Sequence, residues 1–213
     1  MERMSILSLL LVATVQSPAD RAIAAAVSAY ADIRTAKATF EQTITNPLLG
    51  STFHSKGEFE QSRPNKFAFR FTDPKGDVIV CDGRFVWVYL PASTPGRVNK
   101  ALCGGDQAGS LDLIGEFFSN PKERYTIGDG GAATVGERRT HIVLLTPKSK
   151  EAAFVRAKVW IEPTTGSLVQ FEAVEPNGLT RLVRITSFKP NAAVNARAFT
   201  FAVPKGVKVV DIK

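Results

Sequence analysis

From Ala38 onward the apolar residues of this chain recur at every second position in short runs, and Pro, Gly, Asn and Asp divide the runs at intervals of about 10 residues. Period two is the period of a pleated strand, whose successive side chains point to opposite faces, so the pattern predicts an antiparallel sheet through most of the chain. The predicted strands lie near 38–45, 52–61, 66–72, 77–81, 85–90, 97–102, 124–127, 138–145, 154–162, 167–174 and 179–189. Beyond them Phe199 to Asp211 reads as an extended tail able to pair at a sheet edge.

Two segments depart from period two. Asp20 can cap a helix running to about Ala36, with Ile23, Val27, Tyr30 and Arg34 on one stripe and Ala at most other positions. The second, Ser110 to Ser119, puts Leu111, Ile114 and Phe118 on one face and Leu113 with Phe117 on the adjoining one, and is apolar nearly all round. Ahead of both, Ile6 to Val15 follows the short polar start Met1-Glu2-Arg3-Met4 and precedes Pro18. It is far shorter than the ~20 apolar residues of a spanning helix and reads as the core of a signal peptide. Residues 1–17 are therefore expected to be a leader, cut between Ala13 and Asp20, and residues 18–213 a single exported, soluble domain. No Cys near the end of the leader could carry a thioether lipid.

The faces of the strands narrow the reading. Phe67, Phe69 and Phe71 share one face of their strand, with Ala68 and Arg70 opposite. Phe85, Trp87 and Tyr89 share one face of theirs and Val86, Val88 and Leu90 the other, so that strand is apolar on both sides. Val155, Ala157, Val159 and Ile161 oppose Arg156, Lys158, Trp160 and Glu162. A sheet of about eleven strands with so much aromatic area on one side must curl around its own side chains or around a cavity closed by the helix at 110–119, and periodicity does not separate the two.

Chemistry of the catalytic kind is not legible. His54 and His141 are the only histidines, and neither has a Ser, Cys or carboxylate at motif spacing. There is no metal-binding, P-loop or dinucleotide motif, so no enzyme activity, metal or cofactor is expected. Cys81 and Cys103, the only cysteines, are compatible with one disulfide in an oxidising compartment or with two buried thiols. The formal charge of +7 suits an anionic membrane or an acidic partner protein better than nucleic acid, since Arg138-Arg139 and the Arg181/Arg184 pair lie on strands with no basic helix.

Several stretches, taken in order, resemble the LolA family of periplasmic lipoprotein carriers. They are Ala38-Thr-Phe-Glu-Gln-Thr43 after the first helix, Gly57-Glu-Phe-Glu-Gln-Ser-Arg-Pro-Asn-Lys-Phe67, Phe69-Arg-Phe-Thr-Asp-Pro74, Ile79-Val-Cys-Asp-Gly-Arg-Phe-Val-Trp-Val-Tyr89, and Phe199-Thr-Phe-Ala-Val-Pro-Lys-Gly-Val207 followed by Asp211. The resemblance implies a mainly β fold: an incomplete, open antiparallel barrel with an N-terminal helix and a short lid helix over a hydrophobic cavity. It implies that Phe67, Phe69, Phe71, Phe85, Trp87 and Tyr89 line that cavity and that Leu111, Ile114, Phe117 and Phe118 form the lid. Arg63, directly before Pro64, would be the latch, its guanidinium donating to lid carbonyls, and Phe67 the family position tied to cargo release. The implied function is a monomeric carrier that takes acylated lipoproteins from an inner-membrane ATP-driven release complex to an outer-membrane acceptor. Phe69, where the family often has Trp, Cys81 before the Asp-Gly turn, and the Pro/Gly-rich stretch Pro91–Gly109 depart from the family pattern. Carriage of other envelope lipids or glycolipids, or sensing of mislocalised lipoproteins, would use the same fold. An integral outer-membrane barrel fits less well, given the two helices, the Pro-rich breaks and the terminal Lys213.

Overall fold

The computed structural model describes residues 16–103 and 113–212, with residues 113 and 114 by backbone alone. Twelve strands among them build one sheet: β1 (Thr35–Asn46), β2 (Ser51–Ser62), β3 (Lys66–Asp73), β4 (Lys75–Asp82), β5 (Phe85–Tyr89), β6 (Arg97–Leu102), β7 (Tyr125–Val135), β8 (Arg138–Pro147), β9 (Arg156–Ile161), β10 (Leu168–Val174), β11 (Thr180–Pro190) and β12 (Lys208–Asp211). The first eleven are the expected strands and the twelfth is the expected edge pairing of the tail. Their order is β12-β6-β5-β4-β3-β2-β1-β11-β10-β9-β8-β7. Two antiparallel meanders, β1–β6 and β7–β11, are thus joined by the β1–β11 pairing, and β12 lies parallel to β6. The sheet is open, with β7 and β12 at its ends.

The sheet curls where its registers slip, at Thr39/Phe40, Lys56/Gly57, Arg70/Thr72, Asp129/Ala132 and Leu168/Gln170, because each extra residue bends its strand and steepens the twist. Gly57 serves the curl a second way. It stands opposite Phe40 on one side and Phe71 on the other, and a Cβ there would meet the Arg70 carbonyl oxygen at 2.5 Å. With no side chain in between, the rings of Phe40 and Phe71 meet edge to face across the strand, 5.6 Å apart.

The hollow of the curl is covered first by α1 (Pro18–Ala31). Its N-cap is Ser17, whose hydroxyl accepts the Asp20 amide at 3.0 Å, with Pro18 in the first turn; Asp20, expected as the cap, sits inside the helix. Ala19, Ala22 and Ala26 are buried, small side chains that let the helix lie close on β7, β8 and β9, with Ile23 and Tyr30 filling the space beneath. The helix stops before the expected Ala36 because the Arg34 amide donates to the Asn191 side chain and the Thr35 hydroxyl to the Ala192 carbonyl, committing that stretch to β1. No helix among the described residues is long and apolar enough to cross a membrane.

On the convex side, the chain after β11 crosses β3 and β4 through a 3-10 turn at Ala196–Phe199, burying Phe199 against Ala68 and Val80. Arg70 fastens it, donating to the Ala198 carbonyl at 2.8 Å. On the concave side Cys81 is fully buried and joined by a disulfide to Cys103, the residue after β6, their Cα atoms 6.1 Å apart. The bridge closes a loop of 22 positions, which by loop-closure entropy contributes about 3 kcal/mol. Replacing both cysteines with Ser is expected to lower unfolding free energy by about that amount in urea titrations. A midpoint equal to that of the oxidised wild type would mean the bridge constrains nothing.

Candidate functional site

Between the curled sheet and a second helix, α2 (Leu113–Phe118), lies a cavity of about 270 Å³. Its walls are the inward residues of five strands: Phe69 and Phe71 of β3, Ile79 of β4, Phe40 of β1, Val183 of β11, and Phe171 with Ala173 of β10. Phe117 of α2 and Phe154 close the side away from the sheet. The ring of Phe117 sits 5.1 Å from Phe171 and 5.8 Å from Phe154, so the helix covers the hollow with the same aromatic surface that lines it. Beneath α1 a smaller apolar void shares Phe40 and Val183 with the cavity as its partition.

The expected site residues divide between the two faces of the sheet. Phe69 and Phe71 line the cavity, and Phe67 is buried one pleat deeper, 6.0 Å from the Phe69 ring and opposite Cys81. Phe85, Trp87 and Tyr89 do not join them. Cys81 pairs with Val86 and Ile79 with Val88, so the concave face of β5 is its valine face and the three aromatics point outward. There Trp87 and Tyr89 pack on Phe201, each 5.8 Å away, and the Trp87 indole N–H donates to Asp82 at 2.9 Å. A strand apolar on both sides gives no periodic signal of which face is inner, and the aromatic one belongs to the crossing tail.

Of the expected lid residues, Phe117 and Phe118 are buried, Leu111 lies outside the described residues, and so does the side chain of Ile114. Phe118 stacks on Tyr30 of α1 at 4.9 Å, which ties the two helices together. The Arg63 guanidinium donates to the Tyr30 carbonyl at the end of α1, 3.2 Å away, and its amide to the Arg34 carbonyl. Among the described residues its guanidinium bond is therefore to α1.

The cation on α2 is one that sequence reasoning missed. Arg124, at the end of α3 (Pro121–Arg124), donates to the carbonyls of Gly115 and Glu116 at 3.2 and 2.7 Å and to the Glu116 carboxylate at 2.8 Å. The Tyr125 hydroxyl donates to the same carbonyl and carboxylate at 2.6 and 2.9 Å. The fork of an arginine suits this task, since its several donors can reach neighbouring acceptors at once. The available signal was an Arg-Tyr pair placed directly after an apolar helix and a Pro-started turn.

Burial desolvates the Tyr125 phenol and the Glu116 carboxylate repels its phenolate, so its pKa stands well above the ordinary 10.0. Tyr30 is raised too, chiefly by burial. A phenol held neutral in the fold but free to ionise when unfolded contributes stability that is fully present below pH 10 and is lost as the pH climbs toward the raised folded value. Tyr125→Phe is expected to flatten part of the fall in urea midpoint above about pH 10. An unchanged slope would place the phenol outside the fastening.

His54 meets the Thr43 hydroxyl at 3.1 Å and His141 the Asp129 carboxylate at 2.8 Å. No group of three or more His, Cys, Asp or Glu among the described residues is arranged to hold a metal.

Residues 31–99 and 131–202 match the sequence profile of a family described as outer membrane lipoprotein carrier protein LolA. Proteins named outer-membrane lipoprotein carrier protein are similar to the chain over most of its length. One from Methylibium petroleiphilum is 31% identical over 183 residues, 84% of either chain. One from Chromobacterium violaceum is 26% identical over 198 residues, 92% of this chain and 90% of that one. Among solved structures, an uncharacterized conserved protein from Thermus thermophilus shares the fold with a TM-score of 0.56, covering 92% of this chain and all of that one at 12% identity.

Proposed function

The chain belongs to the LolA family of outer membrane lipoprotein carrier proteins, and on that premise we propose that it shields the acyl chains of lipoproteins in its aromatic cavity while they cross the periplasm. It would be exported by the leader at 1–17, receive its cargo from an inner-membrane ATP-driven release complex, and pass it to an outer-membrane acceptor as a monomer. The observation that carries this reading is the apolar cavity under a separately fastened helix.

The energetics agree with direct transfer. Burying an acyl chain gains about 0.8 kcal/mol per CH₂, so a chain of about sixteen carbons left in water costs on the order of 12 kcal/mol. A carrier has to offer comparable apolar surface and then withdraw it. At about 270 Å³ the cavity falls below the ~300–1,000 Å³ of a site for one drug-sized ligand. Several acyl chains therefore require α2 to lift. Besides the buried rings of Phe117 and Phe118, what holds it is a handful of polar bonds from Arg124 and Tyr125, with Arg63 holding the neighbouring end of α1, each charge-assisted bond contributing ~1.5–3 kcal/mol. That is a barrier which cargo binding can overcome.

The test is native mass spectrometry with lipid extraction on protein purified from an envelope fraction without detergent, comparing wild type with Arg124→Met and Arg63→Leu. The reading expects acylated polypeptide at about one per chain, retained about tenfold more by the variants because their empty closed state is less stable. Phospholipid or glycolipid alone would replace lipoprotein carriage with carriage of those lipids. Empty protein in all three samples would overturn carriage altogether.

A further inference from the structure

The cavity wall changes character at one end. On β1 the inward residue after Phe40 is Gln42, on β11 the one before Val183 is Arg181, and beyond Ala173 on β10 comes Glu175. Three neighbouring strands thus turn from apolar to polar within a pleat or two, on the side where the β1–β2 hairpin ends in exposed Leu48 and Leu49. The side chains are wired together: Arg181 donates to the Gln42 amide oxygen at 2.8 Å and to the Glu175 carboxylate at 3.0 and 3.3 Å. Glu116, the other carboxylate at the cavity, is paired with Arg124. Among the described residues the polar end is therefore rich in donors and carries no net charge.

An amphipathic cargo with its chains against the rings must place its polar junction at this level. Resting on the carrier reading above, we infer that Arg181, held by Gln42 and Glu175, is the subsite for the neutral ester and amide carbonyls of an acylated glyceryl-cysteine, and that Glu175 excludes anionic lipid heads. The guanidinium has five N–H donors and spends three of them on two acceptors, leaving donor capacity for a carbonyl oxygen. Its charge is already balanced by Glu175, so a phosphate or free carboxylate gains no net cation and must approach an existing anion. The mouth thereby distinguishes the acyl group of a lipoprotein from phospholipids bearing the same chains.

Competition against N-phenyl-1-naphthylamine, an uncharged fluorescent probe of the cavity, tests this. Competitors are a dipalmitoylglyceryl-cysteine peptide and dipalmitoyl phosphatidylglycerol, both below their aggregation thresholds. The wild type is expected to prefer the lipopeptide by about tenfold or more. Glu175→Gln, which keeps an acceptor for Arg181 and removes the charge, is expected to tighten phosphatidylglycerol binding by about tenfold. Arg181→Met is expected to weaken lipopeptide binding by a similar factor, each competitor being read as its ratio to the probe affinity measured in the same variant. If the probe and the lipopeptide bind but Glu175→Gln leaves the preference unaltered, the charge-balanced subsite is overturned and the carrier reading stands. If neither binds the wild type, the carrier reading itself falls.

Discussion

Gly166→Ala is expected to cost about 3 kcal/mol or more of stability, seen as a lower urea midpoint at unchanged slope. Gly166 turns the chain between β9 and β10 at φ +69°, where an L side chain is strained by about 1–2 kcal/mol. That strain is the smaller part. A Cβ at this position would run into the Ala25 carbonyl and the Ala29 methyl of α1, which are backbone and a one-carbon side chain with nothing to swing aside. The helix would have to lift, exposing Ala22, Ile23 and Ala26 and pulling Tyr30 away from Phe118, so the cover over the cavity loosens as well. Gly206→Ala is the control, since Gly206 has φ +82° and open space around it. Equal losses at the two positions would mean that the turn does not support α1.

Ala173→Trp is expected to act in the opposite sense on stability and to remove binding. Ala173 is buried in the wall between Phe171 and the polar rim, with the open volume in front of it. An indole there would occupy much of the 270 Å³ and bury apolar surface where the fold now has none, holding or raising the melting temperature. Acyl cargo retained after purification should fall by at least about a hundredfold, because the ring takes the space of several methylenes at ~0.8 kcal/mol each. Undiminished cargo in a variant of wild-type stability would put the acyl chains elsewhere on the molecule.

The strands were legible because their signal is local. Eleven period-two runs correspond to eleven strands, and the places where boundaries moved have identifiable causes. β7 continues to Val135 through Gly128, Asp129, Gly130 and Gly131, residues that read as breakers. Gly130 is needed there because a Cβ would collide with Ile142 on the paired strand, and Gly131 falls in the register slip. The candidate site was half legible. Phe69, Phe71 and Phe117 follow from alternation plus family resemblance. The outward turn of Phe85, Trp87 and Tyr89 does not, because it depends on where Phe201 crosses, over 100 positions later. Arg124 and Arg181 are ordinary charged residues in sequence, and only the fold brings them to the carbonyls of α2 and to the rim beside Gln42.

Sheet neighbours are chain neighbours within each meander, while Phe40 and Ile185, which face each other where the meanders meet, stand about 145 positions apart. The cavity is divided the same way: Phe69 and Phe71 come from the early meander, Phe171 from the late one, and Phe40 and Val183 from the junction itself. Neither half encloses anything alone. A polypeptide made from its N-terminus has no hollow to offer until residue 190 has been added and the two meanders have met. The hollow thus comes into being only when β11 pairs with β1, so a chain that stops short of β11 has none of it.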